Sequence, residues 1–265
     1  MPWVPQPATA YFANPAINSS MIKRALISVR NIDIDTYKDT IATYFGSAVH
    51  TRILEPAKYK DNVILRATAG VNTKKHNKQK LLYKDKIKEI AMISKKEFGI
   101  IDRIYEEYQN SPKVMELLEG CVFEESGYYT FNDFLTAKIR LDARHAEKKV
   151  IVDLKTVTTD HLHSFAKEVV NRMYDISAGF YKRMAELIDK CPYKEFWWVL
   201  IEKEPPYHVV ARQCSPDFLR IGEMLAVEGL DKIIHYKTTG EIVDDEDYVV
   251  SPPSWYVRQN KHFLQ

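Results

Sequence analysis

The sequence predicts an α/β fold with a central mixed sheet flanked by helices, and three observations carry that prediction. Short β-branched runs with period-two alternation occupy the middle of the chain. Apolar residues at helical spacing flank them on both sides. With 45% hydrophobic and 12% aromatic residues over 265 positions, there is enough apolar material to fill a core between such layers. No Gly/Ser/Pro-rich linker, repeat or low-complexity tract divides the chain, so a single domain over 1–265 is expected, with a core of about 11–230 and an acidic loop and tail over about 231–265.

Taken in order, NPAINSSMIKRAL begins a helix that Ser19 or Ser20 can cap, with Met21, Ile22, Ala25 and Leu26 as its apolar stripe. A second helix is expected over TYKDTIATYFGSAVHTRIL, where Ile41, Tyr44, Phe45, Ala48 and Val49 recur at helical spacing. Gly46 and His50, four apart, share a face of it, and a mid-helix glycine fits a close approach. Lys78 to about Asn110 reads as helical and basic. After Gly120 the period changes. CVFEESGYYTF and DFLTAKIRLDAR read as strands around a turn at Asn132 and Asp133, and KVIVDLKTV, reached through the polar HAEKK, reads as a buried central strand. Leu162–Lys190 reads as one long helix, because Phe165, Val169, Met173, Ile176, Phe180, Met184 and Leu187 step by three or four. FWWVLIEK and PPYHVVARQ are further strands, SPDFLRIGEMLAVEGLDKII is a helix capped by Ser215, and GEIVDDEDYVV is an acidic loop.

Composition excludes several function classes. Cys121, Cys191 and Cys214 are odd in number and scattered, which argues against a disulfide framework and against a four-cysteine zinc or iron–sulfur site, and fits a reducing cytoplasm. No apolar run reaches the ~20 residues of a membrane span, and MPWVPQPATAYF lacks the basic start and apolar core of a signal peptide. Charge is unevenly spread. Nine lysines between Lys74 and Lys96, Lys74, Lys75, Lys78 and Lys80 among them, face only Asp85 and Glu89. That makes +7 in a chain of net +2 and leaves −5 elsewhere. Such density suits a polyanion such as DNA, and equally makes a solvated helix face.

The chemistry points to one hairpin. Side chains alternate along a strand, so Lys138, Arg140 and Asp142 share one face of AKIRLD, and Ile151, Asp153 and Lys155 share one face of VIVDLK. The short connection pairs the two strands antiparallel and brings two acids and a lysine together. A carboxylate on an apolar strand is costly unless a cation compensates it. Two acids can hold one or two magnesium ions, which acidify a water and stabilise a leaving oxygen, while a nearby lysine orients the water. The structural alternative is an Asp153–Lys155 pair on an edge strand, with Asp142 opening a turn.

D142-(x10)-D153-L154-K155 on a hairpin followed by a long helix resembles the PD-(D/E)xK nuclease core. With NPAINSSMIK, FGSAVHTRILEP, GCVFEES and EKEPPYHV in the same order, the chain resembles the exonuclease VIII (RecE-type) phage recombination nucleases over roughly Tyr11 to Leu230. The resemblance implies Asp142 and Asp153 as metal ligands, the Leu154 carbonyl as a further donor, Lys155 as the catalytic lysine, and His50 beside the metals as a ligand or hydrogen-bond partner. Glu124 matches the family glutamate, with Ser126 two positions on, and Glu125 is the alternative. A Gln-x-x-x-Tyr of related nucleases reads Ser177-x-x-x-Tyr181 here, so Tyr181 and Ser177 are candidate DNA contacts and any glutamine-dependent contact is in doubt. Val170, Tyr174, Ser177 and Tyr181 would form one helical stripe.

The resemblance further implies a 5′→3′ exonuclease on linear double-stranded DNA ends. It implies processive action that leaves 3′ overhangs for single-strand annealing, and two Mg2+ per site with Mn2+ able to substitute. It also implies a homo-oligomeric ring (a tetramer, or a trimer), a single-strand annealing protein as partner, and a phage or prophage product in the bacterial cytoplasm. The basic stretch 74–96 is the candidate for part of the channel wall, with Lys74, Lys75, Lys78 and Lys80 as candidate DNA contacts. The alternatives are a restriction- or repair-type endonuclease on the same core, and a non-catalytic DNA-binding protein.

Overall fold

The computed structural model describes residues 3–34, 39–131, 135–158, 162–242, 252, 254–259 and 261–263. Among them are eight strands: β1 (Trp3–Val4), β2 (Val63–Leu65), β3 (Ala91–Ile93), β4 (Val122–Phe131), β5 (Leu135–His145), β6 (Val150–Val157), β7 (Glu195–Glu202) and β8 (Val209–Gln213). The α-helices are α1 (Ala8–Ala13), α2 (Ser19–Ile27), α3 (Ile41–Leu54), α4 (Tyr59–Asn62), α5 (Lys74–Leu81), α6 (Lys95–Gln109), α7 (Pro112–Leu118), α8 (Leu162–Asn171), α9 (Tyr174–Asp189), α10 (Pro216–Thr239) and α11 (Ser254–Gln259).

The main sheet has six strands in the order β1-β4-β5-β6-β7-β8, with β2 and β3 forming a separate parallel pair. β4, β5 and β6 run antiparallel in sequence, as the short HAEKK connection requires. β6 and β7 are parallel, so the chain must cross over between them, and α8 and α9 supply the crossover. This is the mixed sheet flanked by helices that the sequence predicts.

Period-two alternation in the central strands feeds two cores. Ile151, Phe196, Trp198 and Leu200 join Ile22, Phe165, Ile176 and Phe180 on one face. Val152, Leu154, Val199 and Ile201 join Tyr44, Val49, Met92 and Ile104 on the other. Each strand of this sheet centre is therefore buried on both sides, which explains its continuous apolar reading.

Several expectations are corrected. The cap of α2 is Asn18, whose side chain accepts from the Met21 N–H at 3.0 Å, and Ser19 is already helical. Thr40 caps α3 through a capping box, later than the expected start; residues 35–38 lie outside the described set, as do Asn132 and Asp133 of the expected turn. A Cβ on Gly46 would meet Thr156 Oγ1 at an ordinary 3.5 Å, so no close approach demands glycine there. The basic middle is not one helical stretch, because buried Ala91–Ile93 leaves it to pair with β2.

The long helix breaks at Met173, left-handed at φ 54°, which separates exposed Val170 from Tyr174, Ser177 and Tyr181. The last core helix runs on to Thr239, past the expected onset of the tail, and ends at Gly240 with φ 73°. Most of the acidic GEIVDDEDYVV stretch, residues 243–250, lies outside the described set. Among the described residues no helix is long and apolar enough to cross a membrane.

Candidate metal centre

The sheet comes apart at Asp142. The β5–β6 ladder runs from His145↔Val150 to Ala143↔Val152 and stops. The Leu154 N–H beyond it is satisfied by the Asp142 side chain, which accepts at Oδ2 at 2.8 Å. The alternation of β5 also shifts here, since Leu141 packs in one core and Ala143 in the other. On the opposite side, β4 pairs Phe123↔Ala143 and Glu125↔Leu141, so Glu124 and Asp142 face each other across the one unpaired rung. Glu124 is left-handed at φ 52°, an uncommon state for a residue with a Cβ.

His50, half-buried on α3, completes the group. One ligand atom each from His50, Glu124 and Asp142 lie within 4.8 Å of one another, and His50 Nδ1 is 3.6 Å from Asp142 Oδ2. Burial first, and then the Asp142 carboxylate, push Glu124 above the usual carboxylate range, while Arg140 and His50 pull it back. Arg140 Nε donates to Glu124 Oε2 at 2.8 Å, and its Nη1 donates to Gln6 O at 2.9 Å and Ser126 Oγ at 3.2 Å. Ser126 thus acts on the glutamate through Arg140. Glu125 turns away, bound by Arg144 Nη2 at 2.6 Å in a network that includes Asp189 and Tyr193. Of the two candidate glutamates, Glu124 is the one grouped with His50 and Asp142.

Asp153 and Lys155 project from the same face of β6, as alternation requires, and form an ion pair with each other. Asp153 is buried at 7% exposure and lies outside the group of three. Burial and Asp142 raise its pKa, against the opposing pull of Lys155. Burial alone would lower the Lys155 pKa, but the Asp153 and Asp142 carboxylates outweigh it and hold the ammonium above the ordinary lysine range. Lys155 Nζ also donates to the Leu154 carbonyl at 3.4 Å and stands 5.1 Å from the centre of the Tyr174 ring. Lys23 of α2 stands 5.8 Å from the same ring, and burial, with Lys155 nearby, brings its pKa down to about 8.

A cleft of ≈ 360 Å³ opens over His50, Glu124, Asp142, Arg140 and Tyr181. Tyr181 is pushed up to about 12 by burial and then by Asp153, and its hydroxyl lies 3.2 Å from Ser19 Oγ. Ser177 sits one turn before it on α9, half-buried. The candidate lysines fare differently. Lys74, Lys75 and Lys78 are exposed on α5, Lys80 pairs with Asp39, and none of the four lines the cleft. Lys88, from the same basic stretch, does line it. Lys88 carried the signal of the basic stretch 74–96, and Arg140 that of its alternation in phase with Asp142, while Lys23 went unassigned in the sequence.

A family model described as a PDDEXK-like domain of unknown function (DUF3799) matches residues 23–244. A provisionally described exonuclease from Eubacterium rectale has a solved structure 13% identical to this chain, with a TM-score of 0.61 over 97% of this chain and 98% of that one. At that identity the likeness shows the fold alone. A phage-related exonuclease from Haemophilus somnus 129PT is 13% identical over 74% of this chain and 95% of that one, and its TM-score of 0.29 carries no argument. No curated protein matches.

Proposed function

The chain belongs to the PDDEXK-like family described as a domain of unknown function (DUF3799), and from that premise we propose that it is a magnesium-dependent exonuclease acting on linear duplex DNA. The observation that carries the proposal is the meeting of His50, Glu124 and Asp142 beside a buried Asp153–Lys155 pair, at the rung where β5 leaves β6. The donor set fits a hard divalent cation. Burial and mutual repulsion set Glu124 against Asp142, and positive charge between them removes that conflict. His50, Glu124 and Asp142 would hold the ion, and Asp153 and the Leu154 carbonyl, both now engaged by Lys155, are the further oxygen donors. When bound, magnesium or manganese supplies Lewis acidity and lowers the pKa of water.

The chain's own residues do the rest. Lys155, kept charged by its carboxylate neighbours, donates to the attacking water and offsets charge that develops on the phosphate oxygens. Arg140 fixes the Glu124 carboxylate, and Tyr181 and Ser19 wall the cleft where the strand lies.

The finer reading rests on the resemblance to the exonuclease VIII-type enzymes. It comprises 5′→3′ polarity, processive action through a homo-oligomeric ring, two metal ions, and a 3′ overhang passed to a single-strand annealing protein. Linear duplex with one strand labelled at either end, with and without Mg2+, tests it. The expected result is stepwise loss of the 5′-ended strand and survival of covalently closed circles. Rapid loss of circles would replace the exonuclease with an endonuclease, and no cleavage of either would remove the nuclease reading.

A further inference from the structure

Phe12 is a large aromatic left 51% exposed on the last turn of α1, yet its position is fixed. Its neighbour Tyr11 is buried and meets it edge-to-face, with ring centroids 5.3 Å apart. The almost fully buried Lys138 donates to the backbone carbonyls of Tyr11 at 2.7 Å and Asn14 at 2.5 Å, pinning the helix end to β5. A single exposed aromatic is ordinary on a protein surface. The location of this one is not. Phe12 lines the metal cleft and also a second cleft of ≈ 790 Å³, and the two share Phe12, Asn18, Ser20 and Lys88. Lys88 Nζ stands 5.6 Å from the centre of the Phe12 ring.

We infer that Phe12 and Lys88 form a nucleotide subsite next to the metal centre, Phe12 stacking on a base and Lys88 pairing with a phosphate of the strand being cut. The inference rests on the nuclease reading for its substrate. A nucleotide beside the scissile bond presents a flat apolar face and a charge together, and the pair matches both. Stacking on one aromatic ring is tolerant of sequence, as an enzyme that travels along DNA needs. A cation beside the ring adds attraction for phosphate without reading the base. The subsite also gives the basic stretch 74–96 a local role, since Lys88 reaches the cleft that Lys74, Lys75, Lys78 and Lys80 do not line.

The test is binding of a fluorescently labelled single-stranded oligonucleotide by the full chain in EDTA. It is run for wild type, Phe12→Ala, Phe12→Trp and Lys88→Gln, and repeated with an abasic position moved along the strand. Phe12→Ala should weaken binding about 5- to 100-fold, and Phe12→Trp should restore it. One abasic position should cost wild type a similar factor and Phe12→Ala nothing more. Lys88→Gln should flatten the slope of log affinity against log salt by about 0.7.

The inference is overturned if wild type binds no oligonucleotide, if Phe12→Ala binds like wild type, or if Phe12→Ala loses the same factor at every abasic position. Magnesium-dependent cleavage is measured in parallel. Cleavage with an indifferent Phe12→Ala sinks the subsite alone. Stacking without cleavage sinks the nuclease reading alone.

Discussion

Replacing Gly222 with alanine should destabilise the protein, although helix propensity argues the opposite. In an exposed helix interior, glycine to alanine gains up to about 1 kcal/mol. Gly222 lies inside α10, where that helix crosses α9. A Cβ there would stand 1.9 Å from the Asp175 carbonyl oxygen and 2.4 Å from its carbon, and a Cβ on Gly179 of the facing helix would stand 2.2 Å from the Glu223 nitrogen. These are backbone atoms and cannot rotate away. Ordinary contact begins at 3.4 Å, so the helices must part by 3.4 − 1.9 = 1.5 Å. That shift loosens the packing of Ile176, Phe180 and Met184, which α9 gives to the core.

Overpacking of this kind costs about 1–3 kcal/mol, and the rigidity of the obstacle puts this case at the upper end. After the propensity gain, a net loss of about 2 kcal/mol remains, or a fall of about 4–8 °C in Tm for a chain this size. Gly99 is the internal control. It lies inside α6 with nothing within 4 Å of a built Cβ, so Gly99→Ala should raise Tm by a few degrees. Thermal unfolding followed by circular dichroism reads both. A Gly222→Ala protein as stable as wild type, or more so, would refute the packing argument.

The metal centre makes a prediction independent of cleavage: magnesium or manganese at 100 times its Kd should add about 2.7 kcal/mol, seen as a rise of several degrees in Tm, and Asp142→Asn should abolish the rise. The two adjacent glutamates should separate cleanly. Glu124→Gln should lower cleavage about 100-fold or more with stability preserved. Glu125→Gln should keep cleavage but lose about 1–3 kcal/mol in urea unfolding, because the buried Arg144 would lose the charge of one of its two carboxylate partners and keep that of Asp189. Acid stability should report on His76, fully buried beside Tyr44, whose pKa burial and then Lys80 and Arg66 lower from 6.5. Below 6.5 the unfolded chain takes a proton the folded one refuses, so stability is intact above that pH and falls as pH drops, by at most about 1.4 kcal/mol per unit. His76→Gln should flatten that stretch of the urea-stability profile, and an unchanged slope would count against the assignment.

What could be read in advance was what local periodicity encodes. The β4–β5–β6 meander, the apolar stripes of α3 and α9, and the shared face of Asp153 and Lys155 follow from alternation or helical spacing within one segment. The strands β1, β2 and β3 did not appear in the sequence because two or three residues are too few to show a period. The break at Met173 was hidden for a different reason. Apolar spacing continues through it, methionine is a good helix former, and neither Gly nor Pro marks the turn. The rings beside Lys88 and Lys23 were hidden because the sequence separates Lys88 from Phe12 and Lys23 from Tyr174 widely.

The site itself shows the limit of such reading most sharply. Strict alternation carried to the end of β5 and along β4 describes a regular ladder with every rung paired. The rung that carries Glu124 and Asp142 is the one that fails. The alternation of β5 shifts at Asp142, Glu124 takes a left-handed backbone that costs about 1–2 kcal/mol, and the N–H of Leu154 turns to a side chain. None of these departures is a local preference of the residues involved. Each is stable only because Arg140, Arg144 and the two packed cores hold the strands on either side of the gap. A regular sheet would satisfy the backbone better, and Glu124 and Asp142 would still stand opposite each other in it. The strain sits at the rung where the carboxylates must converge, which is where strained backbone is expected when it is part of a site's chemistry.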